Sequence, residues 1–194
     1  KTRLLRTLVG LLDEWTPVIE GSELGEHPYE PVRYKAAKYS VERPLHVGAA
    51  LAGASPEQIE ALSAYGLPVG EAFQLRDDLL GVFGDPSVTG KPAGDDLVEG
   101  KRTVLVALAL KASPPADADL LDRSLGQPLT ADQVAALRTI IASSGAEQQV
   151  EKTITELADQ GLTALDDAKS SGVLDAGAAE VLRALATAAT QRTV

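Results

Sequence analysis

The chain has 194 residues, 44% hydrophobic and 24% charged, which is enough apolar material for a core and too much for a chain disordered throughout. Cysteine is absent, which excludes a disulfide scaffold, a thiolate metal site and a cysteine nucleophile. The net charge of −10, from 28 acidic against 18 basic residues, argues against a broad nucleic-acid surface.

Aromatics are only 4%, and the Ala, Leu and Val that replace them favour helix packing over aromatic-rich strands. Residues 1–14 carry Leu4, Leu5, Leu8, Leu11 and Leu12 at helical spacing. Pro17, Gly21, Gly25, Pro28 and Pro31 break the next stretch. A helix is expected to restart near Val32 and to run through Tyr34, Ala37 and Val41, with Pro44 kinking or dividing it. The small residues Gly48, Ala49, Ala50, Ala52 and Gly53 would admit a neighbouring helix closely. Ser55-Pro56-Glu57-Gln58 is a helix start: Ser55 caps, Pro56 fits the first turn and Gln58 closes a capping box. The helix that follows carries Ile59, Leu62, Leu67, Phe73, Leu75, Leu79 and Leu80 and is expected to reach about Phe83 despite Pro68.

Gly84 to Gly100 reads as a glycine- and proline-rich loop. Thr103 to Ala112 fits a buried strand or a helix by period alone, and the absence of any second strand candidate favours helix. Pro114 and Pro115 mark a loop. Thr130-Ala131-Asp132-Gln133 is a second capping box, and helices are expected over about 131–143, 146–168 and 175–190. The result is an all-α bundle, one helical domain over 1–194, without repeats. No apolar run reaches the ~18 residues of a membrane span, and no signal-peptide pattern is seen. A cytoplasmic protein is therefore expected, which the lack of cysteine allows. Methionine is also absent, position 1 included, so the chain is expected to be a fragment of the gene product or to lack segments or modified methionines of it.

The densest chemical signal is GEAFQLRDDLLGVFGDPSVTGKPAGDDLVEGKRT, Gly70 to Thr103. Gln74, Asp77, Asp78 and Gly81 lie at i, i+3, i+4 and i+7, one stripe of a helix. Adjacent carboxylates repel unless solvent, a base or a cation offsets them, and an oxygen-rich set of this kind suits Mg²⁺ bridging to phosphate. The following loop adds Lys91, Asp95, Asp96, Lys101 and Arg102. Lysines can bind phosphate oxygens directly and carboxylates through a metal. On charge alone the run is equally a solvated acidic helix end before a charged loop. Lys35 and Lys38, one turn apart before Arg43-Pro44, form a weaker basic cluster that by itself reads as a solvated face. His27 and His46 share no metal-ligand spacing, and because neither has any motif context no Ser-His-Asp set can be assembled. GDPSVTGK fails the spacing of a phosphate-binding P-loop, and no strand precedes it.

Together, FQLRDDLLGVFGDPSVTGKPAGDDLVEGKRT and YKAAKYSVERPLHVGAALAG resemble the C-terminal half of a trans-isoprenyl (polyprenyl) diphosphate synthase. The first run is similar to that family's second aspartate-rich motif and the loop after it. The second is similar to its lysine-threonine segment, which leads into a helix of small residues. The resemblance covers about Tyr34 to Leu110, and its wording looks most like the actinobacterial farnesyl or geranylgeranyl diphosphate synthases. It implies an isoprenoid-synthase-type helical bundle around a central diphosphate and Mg²⁺ cavity, usually as a homodimer. The implied reaction joins an allylic diphosphate to isopentenyl diphosphate and releases diphosphate. By the same resemblance Asp77 holds Mg²⁺ with support from Asp78, and Asp96 binds metal-bound water. Lys35, Lys91 and Lys101 bind the allylic diphosphate, and Gln74 lies along the allylic chain near the reacting carbon.

The chain departs from the family pattern at three points. The DDxxD motif reads Asp77-Asp78-Leu79-Leu80-Gly81, so one carboxylate of the trio is missing and its ion should be held more weakly or through water. The threonine after the lysine is Ala36. The first aspartate-rich motif and the isopentenyl-diphosphate residues are absent, and residues 1–33 contain no adjacent aspartates. The alternative is therefore a non-catalytic, synthase-like binding or regulatory subunit. A terpene cyclase of the same fold fits the GDPSVTGK loop and the Lys35 segment less well.

Overall fold

In a computed structural model the described residues are 32–90 and 92–191, with backbone alone for 32–36, 88 and 89. In chain order the elements are α1 (Val32–Glu42), α2 (Arg43–Leu51), α3 (Pro56–Phe83), α4 (Pro86–Thr89), α5 (Asp95–Val98), α6 (Val104–Ala112), α7 (Pro115–Ser124), α8 (Ala131–Ser143), α9 (Ala146–Ser170) and α10 (Ala176–Thr190). The described residues are thus all-α, as expected. None of their helices is long and apolar enough to cross a membrane. The helix expected over residues 1–14, the breaks from Pro17 to Pro31, and His27 lie outside the described residues. The chain divides into two compact units.

The first unit holds the described residues up to Phe73 and Glu156–Thr190. α1 is wound in the wider π form. It gives way to α2 at Arg43, so Pro44 sits in a first turn, where its missing N–H costs no helical hydrogen bond. The Ser55 capping box forms: the Ser55 N–H donates to Gln58 Oε1 at 2.9 Å, and the Gln58 N–H donates to Ser55 Oγ at 3.3 Å. Gln58 Nε2 also donates to the Val173 carbonyl at 3.0 Å, fastening the start of α3 to the turn before α10. Tyr65, Val69, Leu165, Ala179 and Ala186 form the core, flanked by Leu45, Leu162, Leu174 and Leu182. The Tyr65 hydroxyl donates to the Leu182 carbonyl at 2.6 Å, and burial pushes its pKa up to about 12. His46 is buried with Nε2 2.8 Å from Ser63 Oγ, a structural residue of the α2–α3 packing.

Among the described residues, close helix approach does not occur at the glycines expected to allow it. A Cβ at Gly48 or Gly53 would meet nothing within 4 Å among the described residues. The tight contacts are at Gly70, where a Cβ would come 2.6 Å from Ala37 Cα, and at Gly161, where it would come 2.6 Å from Val69 Cγ2. A run of small residues shows where approach is possible, but burial of the neighbouring large side chains decides which face packs.

The second unit holds Gln74–Thr155 and Gln191. Leu75, Leu79 and Val82, at i, i+4 and i+7, are fully buried and set the orientation of the end of α3. Arg138 Nη2 donates to the Phe83 carbonyl at 3.1 Å and its guanidinium lies 5.6 Å from the Phe83 ring centroid, a cation placed at a helix C-terminus. The segment read as a loop over 84–100 contains two short helices, α4 and α5. Asp85 caps α4 by accepting from the Ser87 N–H at 2.8 Å. α6 buries Val104, Leu105, Val106 and Ala109, so it is apolar nearly all round, which is why its period could not separate helix from strand. Pro114 and Pro115 were expected to mark a loop. Instead Pro115 opens α7, since a proline in the first turn gives up an N–H that has no helical partner there. The Thr130 capping box forms as expected, with Gln133 as its return partner.

Candidate functional site

Burial of Leu75, Leu79 and Val82 leaves Gln74, Asp78 and Gly81 along an adjoining stripe of α3, all within the second unit. Gln74 Nε2 donates to Asp78 Oδ1 at 2.9 Å, one helical turn away. Asp78 is 6% exposed, and this burial pushes its carboxyl up to about 6. The Gln74 hydrogen bond and the Lys101 charge pull it back, whereas the charges of Asp96 and Asp77 push it further up. Asp77 is half-buried beside it.

The loop after α3 brings Asp96 and Lys101 to the same stripe. Asp96 is buried, and its carboxylate lies in the space that a side chain at Gly81 would fill. Lys101 Nζ is 2.5 Å from Asp96 Oδ1 and 2.8 Å from Glu99 Oε2, and these two hydrogen bonds hold the ammonium charged far above its ordinary range. Two left-handed glycines shape this turn. Gly94, at φ 77°, packs so closely that a Cβ would lie 2.5 Å from Val134 Cγ1 of α8. Gly100, at φ 74°, meets Gly126, where a Cβ would lie 2.8 Å from the Gly126 Cα. The Gly126 N–H donates to the Leu97 carbonyl at 3.0 Å, so the loop carrying Asp96 is fastened to the connection between α7 and α8.

One supporting residue was passed over in the sequence. Arg76, between Leu75 and Asp77, is 8% exposed and makes a bidentate pair with Glu151 of α9, at 2.5 and 2.7 Å. Nothing local announces this partner, which stands 75 residues away. Gly126 was likewise missed, because its task is the absence of a side chain.

Of the expected site residues, Gln74, Asp77, Asp78, Asp96 and Lys101 are gathered in this unit. Lys91 lies outside the described residues, and so does the side chain of Lys35, whose backbone belongs to α1. Among the described residues no three His, Asp or Glu groups stand close enough to hold a metal ion as arranged. Instead the Lys101 ammonium supplies the cation at Asp96. The donors still fit a hard ion: Asp77, Asp78 and Asp96 offer only carboxylate oxygen, which suits Mg²⁺ with waters retained. The buried Asp78, pushed up to about 6, is the group that a bound cation would bring back to its ionised form.

The chain is 41% identical over 106 residues to a geranylfarnesyl diphosphate synthase of Aeropyrum pernix, a match that covers 55% of this chain and 32% of that enzyme. It is 37% identical over 139 residues to a (2E,6E)-farnesyl diphosphate synthase of Mycobacterium bovis, covering 70% of this chain and 38% of that one. The solved geranylgeranyl pyrophosphate synthase of Corynebacterium glutamicum, complexed with isoprenyl diphosphate and magnesium, superposes with a TM-score of 0.79 at 40% identity. That match covers 99% of this chain and 53% of the other. The chain thus spans about a third to two-fifths of the curated relatives it matches. The polyprenyl synthetase pattern matches residues 20–143, more than half of the chain, and the chain belongs to that family.

Proposed function

We propose that the chain belongs to a prenyltransferase that condenses an allylic diphosphate with isopentenyl diphosphate, yielding farnesyl or geranylgeranyl diphosphate and free diphosphate. The observation that carries this reading is the gathering of Asp78, Asp96 and Lys101 on the Gln74–Gly81 stripe of a polyprenyl synthetase. Its relatives include a geranylfarnesyl and a farnesyl diphosphate synthase, and a nonaprenyl diphosphate synthase as well.

In this reading Asp77 and Asp78 hold Mg²⁺, and Asp96 binds it through water. The ion supplies charge neutralisation for the diphosphate leaving group. Lys35, Lys91 and Lys101 bind diphosphate oxygens. Lys101 is suited to this because its partners keep it charged at any working pH. When the allylic carbon–oxygen bond breaks, negative charge grows on the diphosphate, and fixed ammonium groups offset it without reorganising. Gln74, held by Asp78, lies along the allylic chain near the reacting carbon. A homodimer working in the cytoplasm, with Mg²⁺ as its metal, completes the proposal.

The test is condensation of labelled isopentenyl diphosphate with allylic primers of several lengths, in Mg²⁺, by the full-length protein. Product formation is expected, with Asp77→Ala lowering turnover by orders of magnitude. An Asp77→Ala enzyme of unchanged rate would overturn the metal assignment. No product with any primer would overturn the synthase reading in favour of a non-catalytic subunit.

A further inference from the structure

Gly81 stands where the resembled motif carries its third aspartate, and the plain reading is a carboxylate lost. The packing says otherwise. A Cβ built on Gly81 would lie 2.1 Å from Asp96 Oδ2, 2.4 Å from its Cγ and 2.9 Å from its Oδ1. All three contacts are with one carboxylate, and all are shorter than carbon tolerates. That carboxylate has little freedom to withdraw. Asp96 is 7% exposed, and Lys101 Nζ grips its Oδ1 at 2.5 Å. Its backbone carbonyl accepts from the Lys101 N–H at 2.9 Å, and the next residue, Leu97, is tied to Gly126.

We propose that the third carboxylate of this site is delivered by the loop: Asp96 occupies the volume that Gly81 leaves open on α3, and the glycine is there to admit it. The ligand is a divalent cation carrying diphosphate, so that part rests on the proposed function; the packing part does not. Two consequences follow. Restoring aspartate at 81 does not complete the motif, because it puts two like charges into one volume. Moving the carboxylate from 96 to 81 preserves the donor set, because alanine at 96 removes all three atoms that residue 81 would strike.

The experiment compares wild type, Gly81→Ala, Asp96→Ala, Gly81→Asp and the doubles Gly81→Ala/Asp96→Ala and Gly81→Asp/Asp96→Ala in the full-length protein. Melting temperatures are taken in EDTA, and Mn²⁺ binding is followed by electron paramagnetic resonance as the metal probe. An unobstructed glycine-to-alanine change inside a helix raises the melting temperature by about 2 °C. Here Gly81→Ala is expected to lower it by about 4 °C, since overpacking exceeds the gain in helix propensity. In the Asp96→Ala background the same change is expected to raise it. Asp96→Ala is expected to weaken Mn²⁺ binding about tenfold, and Gly81→Asp/Asp96→Ala to recover most of that loss. A Gly81→Ala change that stabilises both backgrounds overturns the packing. Tighter Mn²⁺ binding by Gly81→Asp alone overturns the proposal in favour of a lost aspartate. If Gly81→Asp does not fold, the alanine cycle decides. A wild type without condensing activity refutes the proposed function and leaves the melting cycle valid.

Discussion

Replacing Glu151 by alanine tests what holds the Asp77–Asp78 segment of α3 in place. The change removes a bidentate carboxylate, at 2.5 and 2.7 Å, from a guanidinium that is 8% exposed. Breaking a fully buried pair costs about 3–5 kcal/mol, because one charge stays behind without its counterion. Glu151 itself is 39% exposed, so water reaches the pair and the cost is reduced to about 2 kcal/mol. For a chain of this size that is a fall of roughly 4–8 °C in melting temperature. Circular dichroism melts at low and high salt measure it, with Glu180→Ala as the comparison. Glu180 meets Lys169 at a similar 2.9 Å, but both side chains are exposed, so its removal should move the melting temperature far less. Replacing both partners, Arg76→Met with Glu151→Leu, should cost less than Glu151→Ala, because no buried charge remains. If Glu151→Ala melts within about 1 °C of the wild type, or costs no more than Glu180→Ala, the pair is not what anchors this part of α3.

Two further substitutions separate packing from local preference and from charge. Gly70→Ala gains helix propensity but places a methyl group 2.6 Å from the Ala37 Cα, which is backbone and cannot rotate aside. A net loss of about 1–2 kcal/mol is expected, against a gain of about 0.5–1 kcal/mol for Gly48→Ala, whose Cβ meets nothing within 4 Å among the described residues; urea unfolding of both variants gives the signs. Asp78 has its carboxyl raised by burial from 3.8 to about 6, so between those values the native state keeps a proton that the unfolded chain releases. Its contribution to stability is therefore present below about 4 and lost as pH rises through 6. Without metal, Asp78→Asn should gain on the wild type by roughly 2 kcal/mol between pH 4 and 7. A flat difference curve in denaturant unfolding would show that the carboxyl is not desolvated.

The amino-acid sequence by itself determined the helices whose signals are complete within a turn or two. Ser55 with Gln58 and Thr130 with Gln133 mark starts because a capping box closes over three residues, and α3, α8 and α9 follow close to the expected bounds. α7 was not legible, since a proline pair is at once a helix stop and a good first turn, and the structure adopts the second with Leu121 buried. The site divides in the same way. The stripe of Gln74, Asp78 and Gly81 could be read from spacing because helix geometry alone makes those residues neighbours. That Asp96 fills the space beside Gly81, that Arg76 meets Glu151, and that Gly100 closes on Gly126 are pairings across loops and between helices. Such contacts depend on which faces the burial of Leu75, Leu79 and Leu97 turns toward one another. No local pattern encodes that choice, and so the tertiary structure decided which of the charged residues became a site.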